Sequence, residues 1–325
     1  MIPELARAAV RGGRLLLRWL ASPREPGRFT APAVPRVSLE VTNVCNSRCG
    51  FCANRVMRRP RMAMPMSLFI QAVDELAAMG VSEIDFNCTV GEPLLDPHLL
   101  ERARSVRRYP QFEGLGFVTT LQWLHRFDLE AFFEAGFTWL GVSTTLSGRE
   151  TYRAFFGVDA YERMLDNLER LIVANGRRAR PMWIGIGLKP TGESARTIMR
   201  HPDYQRIRRV YGASLDRAVR ERNLFVDDWG GAVQLPRGLR KRPLIPRRKR
   251  PCRLLYSGLA VFSNGVVGAC ACRDFEANSE LVLGQVGRDR LSQLWGGEKL
   301  YRLRADWRER NVVPAICRRC RHYLP

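Results

Sequence analysis

Eight of the nine cysteines fall into tight groups: Cys45, Cys49 and Cys52; Cys252, Cys270 and Cys272; Cys317 and Cys320. Ligands on one short loop converge at little extra loop-closure cost, so this spacing favours metal ligation over a disulfide framework. In Cys45-x3-Cys49-x2-Cys52, three thiolates would leave one iron of a four-iron cubane without a protein ligand, and an open metal position can take up a substrate or cofactor directly. Zinc is the competing reading. Structural zinc sites take four ligands in close pairs, and no fourth ligand lies near this loop. Cys88 stands alone after a strand-like run and reads as core packing.

Positioning such a loop needs a scaffold. Val37–Thr42 reads as a strand that feeds the cysteine loop, and strand-like runs recur at Glu83–Asn87, Gly116–Thr119, Trp139–Ser143, Met182–Leu188 and Asn223–Val226. Helical stretches separate most of them, among them Ser67–Met79, Leu129–Ala135 and Ala160–Ala174. This alternation predicts an α/β fold of parallel β/α units, and six strands suit a partial (β/α)6 TIM-like barrel better than a complete eightfold one. The cysteine loop would then leave the C-terminal end of a strand, where barrel enzymes place their active sites. After Cys252 the pattern changes to short strands (Gly258–Phe262, Val266–Ala269) around a turn at Ser263–Gly265, with a last helix from Leu291. The expected organisation is 1–35 as a basic amphipathic helix and linker, 36–235 as the barrel, 236–251 as a basic linker, and 252–325 as a small C-terminal domain.

Of the 325 residues 46% are hydrophobic, enough for a sizeable core, and no apolar run reaches the roughly 18–20 residues that span a bilayer. The 53 Lys and Arg against 32 Asp and Glu give a net charge of +21, which implies either an anionic partner or an arginine-rich composition. Two features concentrate this charge. Residues 2–20 read as a helix with Arg7, Arg11, Arg14 and Arg18 on one stripe, suited to an anionic membrane surface or to packing across the barrel. Arg237–Arg250 holds eight basic residues, suited to a solvated linker or, through Arg247, Arg248 and Arg250, to a phosphate-bearing substrate.

The C-x3-C-x2-C spacing with Phe51 before the last cysteine resembles the signature of the radical S-adenosylmethionine (SAM) superfamily. Gly91-Glu92-Pro93 resembles the last three residues of that family's Gly-Gly-Glu-Pro motif, whose backbone receives the SAM amino group; Val90 replaces the first glycine. Thr119 and Ser143 lie at strand ends that in relatives line the SAM ribose and the substrate. The C-terminal group, with Gly265-x4-Cys270, Leu283-Gly284-Gln285-Val286 and Leu291…Leu294-Trp295, is similar to the twitch form of the SPASM auxiliary-cluster domain. The resemblance implies a SAM-binding [4Fe-4S] cluster on Cys45, Cys49 and Cys52, SAM itself against Phe51, Gly91, Glu92, Pro93, Thr119 and Ser143, and a second, auxiliary [4Fe-4S] cluster on Cys252, Cys270, Cys317 and Cys320. Cys272, two residues from Cys270, is an alternative ligand, a packing residue, or a thiol that returns hydrogen to a substrate radical.

The expected activity is generation of a 5′-deoxyadenosyl radical that abstracts hydrogen from a small molecule, giving oxidation or epimerisation. A sugar, aminocyclitol or phosphate-bearing substrate is favoured. A ribosomal-peptide maturase is the alternative, weakened because only 44 residues precede Cys45 and such relatives often carry a recognition domain of about 80 residues there. An RNA-binding or RNA-modifying protein ranks third, because no aromatic-interleaved basic motif or recognisable RNA module is present. The expected partners are that substrate and a flavodoxin-, ferredoxin- or reductase-type electron donor. The expected location is the cytoplasm, or the inner face of the membrane through the N-terminal helix.

Overall fold

The structure is a computed structural model that describes residues 34, 36–87, 89–220, 225–270 and 273–324. The expected helix over 2–20, Cys88 and Cys272 lie outside the described residues.

Eight strands among the described residues form one sheet: β1 (Arg36–Leu39), β2 (Glu83–Asp85), β3 (Gly114–Thr119), β4 (Trp139–Thr144), β5 (Trp183–Leu188), β6 (Gly258–Val261), β7 (Val266–Gly268) and β8 (Val282–Gln285), in the order β5-β4-β3-β2-β1-β6-β7-β8. Every neighbouring pair from β5 to β6 is parallel, and β6, β7 and β8 form an antiparallel meander. Six strands therefore run parallel, as the alternation predicts, but the sixth is β6 from the C-terminal segment, docked on the far side of β1. The expected strand at Asn223–Val226 is not its source. Residues 223 and 224 lie outside the described residues, and Val226 makes only an isolated parallel bridge to Lys241. Its apolar run stops at once at Asp227-Asp228, whose carboxylates pair with Arg273, Lys241 and Arg321.

The helices follow from apolar spacing. In α1 (Met66–Ala78) the buried residues are Phe69, Ala72, Val73, Leu76 and Ala77, the i, i+3, i+4, i+7 stripe of a helix lying on a sheet. It is followed by α2 (Leu99–Arg107), α3 (Leu129–Glu134), α4 (Arg149–Phe156) and α5 (Tyr161–Gly176), whose buried Met164, Leu165, Leu168, Leu171 and Ile172 repeat the pattern. Burial of each such side chain is worth about 1.5–3 kcal/mol. Among the described residues no helix is long and apolar enough to cross a membrane.

The sheet's two faces differ. Alternate residues (Val37 and Leu39, Leu140 and Val142, Ile184, Ile186 and Leu188) are buried in one continuous core. The opposite face carries Gly114, Gly116, Gly141, Gly185 and Gly187 beside Trp139 and Trp183, with Val118 and Trp183 45% and 58% exposed. A Cβ on Gly116 would stand 2.1 Å from the Trp139 carbonyl oxygen, and one on Gly185 would stand 2.3 Å from the Trp183 ring, so the two tryptophans lie flat on a glycine floor.

Candidate active site and auxiliary metal centre

The loop after β1 is held on three sides. Asn43 bonds residues 60–62 in both directions: its Nδ2 donates to Pro60 O at 2.8 Å and its Oδ1 accepts from Met62 N at 2.7 Å. Arg48 N and Gly50 N donate to Phe156 O and Phe155 O at 2.9 and 3.0 Å, capping the C-terminus of α4 with the cysteine loop itself. The buried Gln122 side chain accepts from Asn46 Nδ2 at 2.6 Å and donates to Ser47 Oγ at 3.0 Å and Tyr152 OH at 2.8 Å. Cys45, Cys49 and Cys52 hang from this frame, and none is in a disulfide.

Burial sets their chemistry. Desolvation first, then the Glu92 charge, pushes the Cys45 thiol up to about 12. Desolvation likewise raises Cys49 and Cys52, opposed by the positive charge of Lys189 on both and, for Cys52, by the Asn54 N–H donating to its sulfur at 3.4 Å. One buried and two half-buried thiols that resist ionisation until a strong positive charge arrives suit a metal cluster, since coordination deprotonates a thiol outright. Among the described residues no three His, Cys, Asp or Glu side chains converge tightly enough for a single ion; a cubane of four irons spreads its ligands more widely.

Gly91 explains its own identity. Its φ is +109°, and a Cβ would stand 2.1 Å from the Thr42 carbonyl oxygen, so the turn passes directly against the residues that lead into the cysteine loop. Val90, which stands where the family motif has its first glycine, packs into a small cluster with Ala53, Met57 and Val233. Glu92, 1% exposed, accepts from Thr119 Oγ1 at 2.5 Å, Thr120 N at 2.8 Å, Thr120 Oγ1 at 2.7 Å and Leu94 N at 3.3 Å, and burial still raises its pKa. No cation pairs with it among the described residues, so its charge is balanced by hydrogen bonds alone. Pro93 begins the short turn Pro93–Leu95 that Glu92 caps. Thr119 is thus engaged with Glu92, while Ser143 lies on the open face of β4 opposite Gly187. Buried oxygens with no partner among the described residues (Asn46 Oδ1, Thr89 Oγ1, Thr145 Oγ1 and Ser147 Oγ) mark the same loops. Their unmet hydrogen-bonding capacity fits a polar cofactor or substrate.

Phe51 packs against Phe155 and Phe156 at centroid distances of 6.3 and 5.9 Å, and Lys189 Nζ lies 5.5 Å from its ring centroid. Sequence reasoning missed Lys189. Its position just past the C-terminal end of β5 is the signal that marks functional residues in parallel β/α folds. Trp229 was also missed: its indole N–H donates to Phe51 O at 2.9 Å, and Arg273 lies 4.7 Å over its ring. Arg273 in turn pairs with Asp227 at 2.8 Å and adds positive charge at both Cys52 and His322. One strap, 227–233, therefore connects the two cysteine groups.

Cys252, Cys270, Cys317 and Cys320 line one largely apolar cavity in the C-terminal segment, together with Arg248 and His322. Cys252 precedes a short helical turn, Cys270 follows β7, and Cys317-x2-Cys320 closes α11 (Ala315–Arg318), the last of the helices after α6 (Ala195–Arg200), α7 (Pro202–Tyr211), α8 (Leu215–Arg220), α9 (Leu291–Trp295) and α10 (Glu298–Arg310). Burial raises the Cys252 and Cys317 thiols. The basic run behaves differently from a free linker. Lys241 pairs with Asp228 at 3.4 Å, Arg242 meets His322 Nδ1 at 3.2 Å, and Arg248 is turned inward rather than presented as surface charge.

The model of the Radical SAM superfamily matches residues 39–210, more than half of the chain, and the model of an iron-sulfur cluster-binding domain, SPASM, matches 252–321. The GTP 3',8-cyclase of Chlorobaculum tepidum is 30% identical over 139 residues, 43% of this chain and 41% of that protein. The chain spans about two fifths of the length of the curated relatives it matches. Among solved structures, BtrN in complex with AdoMet and 2-DOIA superposes with a TM-score of 0.59 at 17% identity, covering 90% of this chain and 94% of that one. Streptococcus suis SuiB bound to precursor peptide SuiA gives 0.59 at 13%, covering 91% and 73%. At these identities the likeness is one of fold. The family-model match, together with a thiol loop seated at the C-terminal end of a parallel sheet, places this chain in the radical SAM superfamily, with a [4Fe-4S] cluster and SAM as its cofactors and an iron–sulfur cluster-binding SPASM domain at its C-terminal end.

Proposed function

We propose that the enzyme abstracts hydrogen from a sugar, aminocyclitol or phosphate-bearing small molecule and completes an oxidation or epimerisation with the help of one auxiliary four-iron cluster. The observation that carries this reading is the single cavity lined by Cys252, Cys270, Cys317 and Cys320. Four thiolates satisfy one cubane fully and leave it no open iron, which suits a cluster that exchanges electrons rather than one that binds substrate. When bound on Cys45, Cys49 and Cys52, the other cluster supplies the electron that cleaves SAM to methionine and the 5′-deoxyadenosyl radical.

The chain's own residues then have defined tasks. Gly91 lets backbone groups approach the SAM amino end, and Glu92 holds a buried negative charge beside it. Phe51, with Phe155 and Phe156, shields the cluster loop from water. Ser143 and the glycine floor face the space left for substrate, where holding the reacting carbon close to the radical provides most of the rate advantage. Cys272 remains the candidate hydrogen donor for an epimerase. We divide the chain as 36–235 for the catalytic part and 252–325 for the auxiliary part, and assign a flavodoxin- or ferredoxin-type donor and a cytoplasmic location.

A peptide-modifying role is the second reading, favoured by the likeness to SuiB, whose complex holds a precursor peptide. Anaerobic turnover with a panel of aminocyclitols and sugar phosphates against short peptides, scored by substrate-dependent 5′-deoxyadenosine, separates the two. Stimulation by peptides alone would overturn the proposal.

A further inference from the structure

The basic run 237–250 contains an arginine that does not behave as surface charge. Arg248 is 6% exposed, while its neighbours Arg247 and Lys249 are exposed. Its guanidinium donates to three backbone carbonyls: Ile245 O at 3.1 Å, Cys320 O at 2.6 Å, and Cys317 O. The fork lies 5.0 Å over the Tyr323 ring, and the Tyr323 hydroxyl reaches back to Arg250 O at 2.8 Å. Trp307 Nε1 donates to the Arg248 carbonyl at 2.7 Å and its ring stacks on Tyr323, so the backbone at and just after the arginine is pinned.

An arginine fork usually meets a carboxylate or phosphate. Here it meets the carbonyls of two cysteines, and among the described residues no carboxylate pairs with Arg248. Its charge is therefore left for whatever occupies the cavity, whose wall it shares with Cys252, Cys270, Cys317 and Cys320. That charge already offsets part of the rise that burial imposes on Cys252 and Cys317.

We infer that Arg248 is a positioning residue of the auxiliary centre with two separable tasks. Its fork clasps the Cys317-x2-Cys320 loop in the geometry that receives a cluster, and its buried charge favours the more negative, reduced state of that cluster. Net charge and hydrogen bonding near a cluster set its potential, and a charge buried beside it is poorly screened by salt. This inference rests on the reading that those four cysteines hold the auxiliary cluster.

The test uses full-length protein carrying Cys45→Ala, Cys49→Ala and Cys52→Ala, so that only the auxiliary cluster reports. Arg248→Met, Arg248→Lys and, as a surface control, Arg247→Gln are compared by iron content, rate of iron loss to a chelator, and midpoint potential from a redox titration followed by electron paramagnetic resonance. In Arg248→Met the reduction equilibrium should fall at least about tenfold, a shift of about 59 mV for one electron, and iron should leave faster. Arg248→Lys should restore the equilibrium to within about threefold yet lose iron as fast as Arg248→Met, because an ammonium keeps the charge but cannot span two carbonyls. Arg247→Gln should change neither. A parental potential in Arg248→Met, or a lysine that fails to restore it, overturns the charge assignment; parental iron retention in both variants overturns the clasp. If Arg248→Met does not fold, Arg248→Lys decides alone: a shifted potential or parental retention sinks the inference. If the triple-alanine parent itself holds no cluster, the ligand reading fails first and this inference fails with it.

Discussion

The loop with Cys45, Cys49 and Cys52 closes within one short segment, whereas Cys252, Cys270, Cys317 and Cys320 are gathered from three separated ones. The local group needs little help to converge, and its frame combines neutral contacts from Asn43, Gln122, Ser47 and the end of α4 with the Arg61 guanidinium, which donates to Asn43 O and to Asn54 on the same loop. The dispersed group must be assembled by tertiary structure, and a buried guanidinium performs part of that assembly. Their charged neighbours differ as well: Glu92 adds to the rise of Cys45 while Lys189 opposes that of Cys49 and Cys52, whereas Arg248 opposes the rise of both Cys252 and Cys317.

The largest effect should come from removing the local group. Wild-type protein reconstituted without oxygen should hold about eight irons as two four-iron clusters, and Cys45→Ala/Cys49→Ala/Cys52→Ala about four, with SAM cleavage to 5′-deoxyadenosine reduced to background. Stoichiometric zinc in place of iron in the wild type would remove the basis of the whole comparison.

Next in size is the buried pair that ties the two regions together. Glu40, at the end of β1, receives Arg59 at 2.6 and 2.5 Å and Ser263 Oγ at 2.8 Å, so the tail of the cysteine loop and the C-terminal hairpin share one carboxylate. Arg59→Met leaves that carboxylate uncompensated and should cost about 3–5 kcal/mol in denaturant unfolding, and the added Glu40→Gln should recover part of it. Full additivity of the two changes would show that the groups are not coupled.

Gly91→Ala forces a β-carbon into the left-handed region and against Thr42 O, and should cost about 1–3 kcal/mol together with loss of measurable SAM binding. Unchanged affinity in a folded variant would detach this turn from the cofactor.

Glu92→Gln is milder. It removes the charge and keeps one acceptor oxygen, while the other position becomes an amide donor facing donors that the carboxylate had accepted from, and SAM affinity by calorimetry should fall about tenfold, about 1.4 kcal/mol. Because burial holds the Glu92 pKa above its ordinary value, lowering pH protonates it and weakens binding of the SAM ammonium. Wild-type affinity should therefore decline as pH falls, and the Gln variant should be flat. The smallest change is expected from Arg247→Gln with Arg250→Gln, both exposed, at within about 0.5 kcal/mol in stability. Any rise in the Michaelis constant for an anionic substrate should shrink with added salt.

Legibility followed the same division. The Cys45–Cys52 loop was legible from its spacing, the Gly91-Glu92-Pro93 turn from its likeness to the family motif, and the strands that carry them from the alternation of strand-like and helix-like segments. The parallel pairing of β6 with β1 could not, because nothing local in Gly258–Val261 states which strand it will join. Arg248 was equally hidden. One arginine among eight basic residues has the same local signature whether it faces water or two carbonyls, and only the return of the chain at Cys317 decides. Val90 shows the reverse case, where a departure from the family motif becomes intelligible once its packing against Ala53, Met57 and Val233 is seen.

The docking of β6 against β1 also governs what happens when the chain is cut. Arg36–Leu39 pairs with Glu83–Asp85 on one side and with Gly258–Val261 on the other, so the strand that feeds the cysteine loop is interior only while the C-terminal segment is present. A chain ending at Pro251 would turn β1 into an open edge, with unpaired amides and carbonyls ready to recruit another copy. The catalytic part should then aggregate rather than survive as an independent module, however complete its own cysteine motif remains.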